Sequence, residues 1–154
     1  VEDSLVVREE PPDGPVARPL LEHYVADIAD RYPGWHPGIG PSANPEDFVG
    51  DHGRFVVVLA DGEPVGCGGL KRLDAATGEV KRLYVVPAAR GRGVAGRLLD
   101  ELEERARAFG CWRVRLDTGD RQPEALRLFR AAGYREIPAY NYNPTARFWF
   151  EKSL

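Results

Sequence analysis

Residues 83–97 read L-Y-V-V-P-A-A-R-G-R-G-V-A-G-R, and no other stretch limits the fold so strongly. An apolar, β-branched run ends at Pro87, a Gly/Arg loop follows, and a helical pattern opens at Gly93. Val94, Leu98, Leu99, Leu102, Ala106 and Phe109 share one face of a helix over 93–109, which Gly110 stops. The other face carries Arg97–Glu101, Glu101–Arg105 and Glu103–Arg107 at i,i+4 spacing. A strand that feeds a helix through glycines suits an anion. The first helical N–H groups lack intrahelical acceptors, and the helix dipole is positive at that end. Gly91 and Gly93 let the backbone approach a phosphate closely, and Arg90, Arg92 and Arg97 add full charges. A pyrophosphate is the natural ligand. The bland alternative is a helix start with glycines for turning and arginines for solubility.

Three phosphate motifs compete for this stretch. A Walker A loop is excluded, because no Gly-Lys-Ser/Thr follows. Gly91-Arg92-Gly93-Val94-Ala95-Gly96 matches the dinucleotide fingerprint G-x-G-x-x-G, and Asp117 lies about 20 residues on. That motif closes its first turn directly off the strand, whereas Pro87-Ala88-Ala89-Arg90 intervene here. Its strand is buried on both faces, yet this one carries Glu79, Lys81 and Arg82. Only 37 residues follow Asp117, too few for the second half of a dinucleotide fold.

The remaining chain alternates strands and helices. Ser4–Arg8 reads as a first strand, and 15–31 as an amphipathic helix with Asp13 as candidate cap. Residues 54–60 and 64–73 are strands joined by Asp61-Gly62, a type I′ signal. A turn at 75–78 precedes a strand over 79–86. Strand 112–117, helix 123–132 and strands 134–137 and 146–152 close the chain. Between 32 and 45 prolines and glycines crowd into a long loop, expected to act as a lid, a pocket wall or an interface. A mixed α/β single domain over 1–154 is expected.

At 154 residues the chain fits one domain. A net charge of −3 argues against a nucleic-acid partner. No apolar run is long enough to cross a membrane, and no signal peptide is visible, so the cytoplasm is the expected compartment. The chain has no methionine, so its start is expected to be processed or trimmed. Cys67 and Cys111 form no disulfide framework and read as buried small residues. No metal is expected, because the three histidines have no ligand spacing.

Arg90-x-x-Gly93-x-Ala95 resembles the acetyl-CoA signature R/Q-x-x-G-x-G/A of the GCN5-related N-acetyltransferase (GNAT) superfamily. The flanking V-K-R-L-Y-V-V-P and G-R-L-L-D-E-L-E resemble that family's core strand and helix. Q-P-E-A-L-R-L-F-R-A-A-G-Y resembles its second cofactor-side segment. The resemblance is strong over 54–154 and only topological before it. It implies a mostly antiparallel, twisted sheet of six or seven strands with three or four helices. The fourth and fifth strands would splay apart around the pantetheine arm of acetyl-CoA, the acyl donor substrate.

The resemblance also assigns roles. Backbone groups of Leu83, Tyr84 and Val85 would meet the cofactor arm, with the Val85 N–H as oxyanion donor. Arg90, Gly91, Arg92, Gly93, Val94, Ala95, Gly96 and Arg97 would hold the pyrophosphate. Gln122 stands where the family usually has Asn. Phe129 stands where many relatives use Tyr to protonate the departing thiolate, so Tyr140 and Tyr142 become the candidate acids. Glu79 is the candidate base, since only a deprotonated amine attacks. Alternation puts 79, 81, 83 and 85 on one face unless a bulge intervenes. Glu46 and Asp47 are candidates for holding a cationic acceptor. The expected activity is transfer of acetyl to a primary amine of a small molecule, amino acid derivative or peptide by direct attack in a ternary complex, from a monomer or homodimer. A non-catalytic acyl-CoA binding module is the alternative.

Overall fold

The computed structural model describes residues 4–41 and 43–154; Ser42, in the Pro/Gly loop, lies outside them. Strand β1 (Leu5–Glu9) leads into helix α1 (Ala17–Arg31). The meander β2 (Gly53–Ala60), β3 (Glu63–Arg72) and β4 (Thr77–Val85) follows. Helix α2 (Val94–Ala108), β5 (Arg113–Thr118), α3 (Pro123–Ala131), β6 (Arg135–Ile137) and β7 (Phe148–Ser153) complete the chain. The sheet runs β1-β2-β3-β4-β5-β7-β6, antiparallel except for β4–β5.

Both faces of this sheet are covered, which explains the unbroken apolar run of β2. Val56 and Val58 point toward α2 and α3 and pack with Leu98, Leu99, Leu102, Leu116, Phe129 and Phe150. Phe55, Val57 and Leu59 point the other way and pack with Ala17, Leu20, Phe48 and Tyr84. The β2–β3 turn is the expected type I′: Asp61 and Gly62 have φ of 50° and 85°. Cys67 and Cys111 are buried, as expected.

Three local expectations are corrected. Asp13 does not cap α1; Pro11–Gly14 forms a tight turn, and the Arg18 guanidinium donates to the Asp13 carbonyl at 2.6 Å. β4 begins at Thr77 rather than Glu79. The Leu73 N–H bonds the Thr77 carbonyl at 2.9 Å, which closes the turn earlier and leaves Glu79 inside the strand. Glu103 does not pair with Arg107, because it lies on the buried side of α2. Its carboxylate accepts from the Tyr134 hydroxyl at 2.9 Å and from Lys152 at 2.8 Å.

This pair of buried Glu103 and half-buried Lys152 ties α2 to β7. Removing one partner strands a charge, whereas removing both does not. Lys152→Met is expected to cost about 3 kcal/mol. Glu103→Gln combined with Lys152→Met is expected to cost clearly less, and urea unfolding of both variants checks this.

Candidate active site

The site begins with a pairing that stops. β4 meets β5 only where Thr77, Gly78 and Glu79 face Arg113, Val114 and Arg115. Beyond Glu79 the strands diverge. A bulge in β4 accompanies the divergence: Lys81 faces Gly69 and Tyr84 faces Cys67, so β4 spends an extra residue there. Arg82 takes it up with a left-handed φ of 57°.

The bulge reverses the side-chain phase. Gly78, Val80, Leu83 and Val85 face the α2 side, whereas Glu79, Lys81 and Tyr84 face the α1 side. The expectation that 79, 81, 83 and 85 share a face is therefore corrected. The backbone phase matters more for the cofactor. The Val86 N–H bonds the Val65 carbonyl on β3 at 2.9 Å. By alternation the main-chain groups of Leu83 and Val85 face the gap. Arg90 Nε donates to the Val85 carbonyl at 3.0 Å and braces the loop against the strand.

Past Val85, Pro87–Ala89 forms one 3-10 turn. Gly91 and Gly93 then turn the chain with φ of 80° and 77°, values that would strain a side-chain-bearing residue. The Gly93 carbonyl receives the Arg97 N–H, so α2 starts with the amides of Val94, Ala95 and Gly96 free of helical acceptors. A cavity opens at this end. Leu83, Tyr84, Val85, Arg90 and Gly91 line it, with Gly93, Val94, Ala95, Gly96 and Gln122. Arg92 and Arg97 are not part of that wall; Arg97 pairs with Glu101 at 3.2 Å on the outer face of α2. Phe129 is also elsewhere, packed against Tyr134 and Phe150.

A second cavity continues through the gap. It shares Tyr24, Ile28, Leu83, Gln122 and Ala125 with the first. Its outer wall is the Pro/Gly loop, through Trp35, Ile39 and Pro41, and its floor is Lys81, Arg82 and Asp117; Phe129 reaches its inner end. Gln122 is held at the junction, its Oε1 accepting from Tyr32 at 3.2 Å and Thr118 at 3.3 Å. Glu46 and Asp47 lie outside this cavity, and Asp47 accepts the Asn44 N–H at 2.9 Å.

Glu79 is 3% exposed and lines neither cavity. Its carboxylate accepts from the Tyr140 hydroxyl at 2.6 Å and pairs with Lys81 at 3.3 Å. Burial, reinforced by the Glu79 charge, raises the Tyr140 pKa. Tyr142 is 86% exposed and lines neither cavity. Asp117 is the carboxylate in the second cavity wall, its oxygens accepting from Asn141 at 2.8 Å and Asn143 at 3.0 Å. Asn141 in turn accepts from the Trp149 indole at 2.9 Å. Asp117, Asn141, Asn143, Tyr24 and Arg82 are the site residues that sequence reading misses. Asp117 entered only as the acid of a rejected fingerprint, and Tyr24 only as one member of an apolar helix stripe. The Y-N-Y-N alternation was the available signal for the asparagines.

A sheet parted between β4 and β5 beside a Gly/Arg helix start agrees with what known proteins show. The family model described as "Acetyltransferase (GNAT) family" matches residues 21–134. The chain belongs to the GNAT acetyltransferase family. The match begins well before residue 54, so family likeness extends into α1. An IAA acetyltransferase of Azospirillum brasilense is 37% identical over 105 residues, spanning 66% of this chain and 68% of that protein. The chain spans about half or less of the length of other curated relatives it matches. An acetyltransferase from Streptococcus agalactiae has the same fold, with a TM-score of 0.78 at 18% identity over 97% of this chain and 98% of that one. A GNAT acetyltransferase from Elizabethkingia anophelis, solved with acetyl-CoA bound, superposes with a TM-score of 0.69 at 18% identity over 99% and 100% of the two chains. This GNAT member is an acyl-CoA-dependent acyltransferase by family.

Tyr24 lies where the two cavities meet, and burial pushes its hydroxyl up to about 12. Its folded pKa lies above the unfolded value, so its contribution to stability is complete below the unfolded pKa and is lost as pH rises toward the folded one. Tyr24→Phe is expected to flatten the fall in stability between about pH 10 and pH 12, read as the change in urea midpoint.

Proposed function

We propose that this chain, as one domain over 1–154, transfers acetyl from acetyl-CoA to the primary amine of a small acceptor by direct attack in a ternary complex. The observation that carries this reading is the meeting of two cavities at the β4–β5 gap, one at the Gly/Arg helix start and one beneath the Pro/Gly loop. The acetyl-CoA complex of the Elizabethkingia relative supports the donor.

The amides of 91–96 hold the pyrophosphate, and the arm lies along Leu83, Tyr84 and Val85. The acceptor nitrogen attacks the thioester carbonyl carbon. The Val85 N–H bonds the oxygen as negative charge develops there. The C–S bond then breaks, and the amide forms as the nitrogen loses its proton.

Glu79 was the expected base, but Tyr140, Asn141 and Lys81 enclose it. Asp117 faces the acceptor, so in this reading it pairs with the ammonium and takes the proton. Glu79 then acts as a positioning residue, fixing Asn141 against Asp117. Tyr24 serves as the proton donor for the departing thiolate in place of Tyr140 or Tyr142. Its hydroxyl, protonated at neutral pH, lies where the two cavities meet.

Steady-state CoA release tests these roles. Asp117→Asn is expected to lower kcat/KM by about 100-fold or more, with a smaller deficit as pH rises and free amine accumulates. Glu79→Gln is expected to lower it by about 10-fold at every pH, as for a positioning group. Acetyl-CoA binding should persist in both variants. The reverse order of effects would return the base to Glu79, and acetyl-CoA binding with no turnover of any amine would contradict the reading.

A further inference from the structure

Two charges in the acceptor cavity have no ionic partner among the described residues. Arg82 is half-buried in its floor, where the Ala43 carbonyl takes one of its N–H donors at 3.1 Å. Its guanidinium lies 5.9 Å over the Tyr24 ring. Among the described residues no carboxylate pairs with it. Arg82 also holds a left-handed backbone, an arrangement a non-glycine residue adopts only at a cost. Lys81, its neighbour in the same floor, is neutralised by Glu79 at 3.3 Å. The negative counterpart is Asp117, whose hydrogen-bond partners are neutral amides, so its charge is uncompensated. Between and above these charges the wall is Trp35, Ile39, Pro41 and Ile28.

Resting on the amine-transfer reading above, we propose that the acceptor is a zwitterionic α-amino acid with an apolar side chain, and that Arg82 binds its carboxylate. An ammonium and a carboxylate on one carbon answer the two unpaired charges, Asp117 taking the first and Arg82 the second. A planar guanidinium with donors to spare is the group best shaped for a carboxylate. The apolar side chain lies against the Trp35 and Ile39 wall. A simple amine would enter but leave the guanidinium desolvated and unpaired, which is unfavourable. A peptide N-terminus carries an amide where the carboxylate would be. A dicarboxylic amino acid would need a second free cation, and Lys81 is already occupied.

The test pairs free amino acids with the amines that lack their carboxylates: phenylalanine with 2-phenylethylamine, leucine with 3-methylbutylamine, tryptophan with tryptamine. Glutamate and lysine complete the panel, and CoA release is followed with acetyl-CoA saturating. The parent protein is expected to prefer the acid of each pair by about 10- to 100-fold in kcat/KM, the strength of a charge-assisted carboxylate contact. Arg82→Gln should lose that preference, lowering kcat/KM for the amino acids more than for the simple amines so that the ratio within each pair falls to about one; Arg82→Lys should keep part of it. Because the readout is a ratio within one variant, a general loss of folded protein does not imitate it.

Turnover of simple amines as fast as amino acids would overturn the inference while leaving amine transfer intact. So would an equal loss on both by Arg82→Gln, or a preference for glutamate or lysine. No turnover of any amine, with acetyl-CoA still raising Tm, would overturn both this inference and the reading beneath it.

Discussion

Everything at the candidate site follows from the short pairing of β4 with β5. Parallel strands normally hydrogen-bond along their length, and three paired residues on each strand leave most of β4 with an unpartnered edge. Buried main-chain groups without partners are unfavourable, so such an edge needs a ligand or solvent. Here the exposed groups belong to Leu83 and Val85, and the Gly/Arg helix start lies directly beyond them. The bulge at Arg82 bends β4 away and turns the phase of its side chains. One local irregularity thereby opens the gap, aims the backbone into it and moves Glu79 and Lys81 to the α1 side of the sheet.

The charges sort themselves by that geometry. Arginines of the loop serve different ends: Arg90 braces Val85, while Arg97 pairs along the outside of α2. Carboxylates are sorted in the same way. Glu103 is locked into the core by Tyr134 and Lys152, and Glu79 is enclosed by Tyr140 and Lys81. Asp117 alone among these three lines the second cavity. Partners that enclose one acid leave another open to a cavity, which is how a small domain holds several carboxylates without giving each a catalytic task.

Much of this was legible in the residues. Asp61-Gly62 named its own turn, the α2 stripe named its buried face, and the G-R-G run marked the glycine turn that opens α2. The strand order and the gap came with the family resemblance, because no spacing in one sequence says which strands become neighbours. The bulge was hidden, since Arg carries no mark of a left-handed backbone and K-R-L-Y-V-V reads as plain alternation. Glu79 after T-G looked like a turn residue, yet the turn closes at Thr77. Tyr140 and Tyr142 looked equivalent, but only one folds back onto Glu79. Errors of this kind share a cause: side-chain direction at bulges and in loops is decided by tertiary packing rather than by local pattern.

The central claim is that acetyl-CoA occupies the β4–β5 gap against the loop amides, and amide hydrogen exchange with and without acetyl-CoA measures it directly. The account predicts slowed exchange at Leu83, Val85 and 91–96, little change along β1 and β6, and no such pattern with NAD. Protection confined to other segments, or an equal response to NAD, would contradict it.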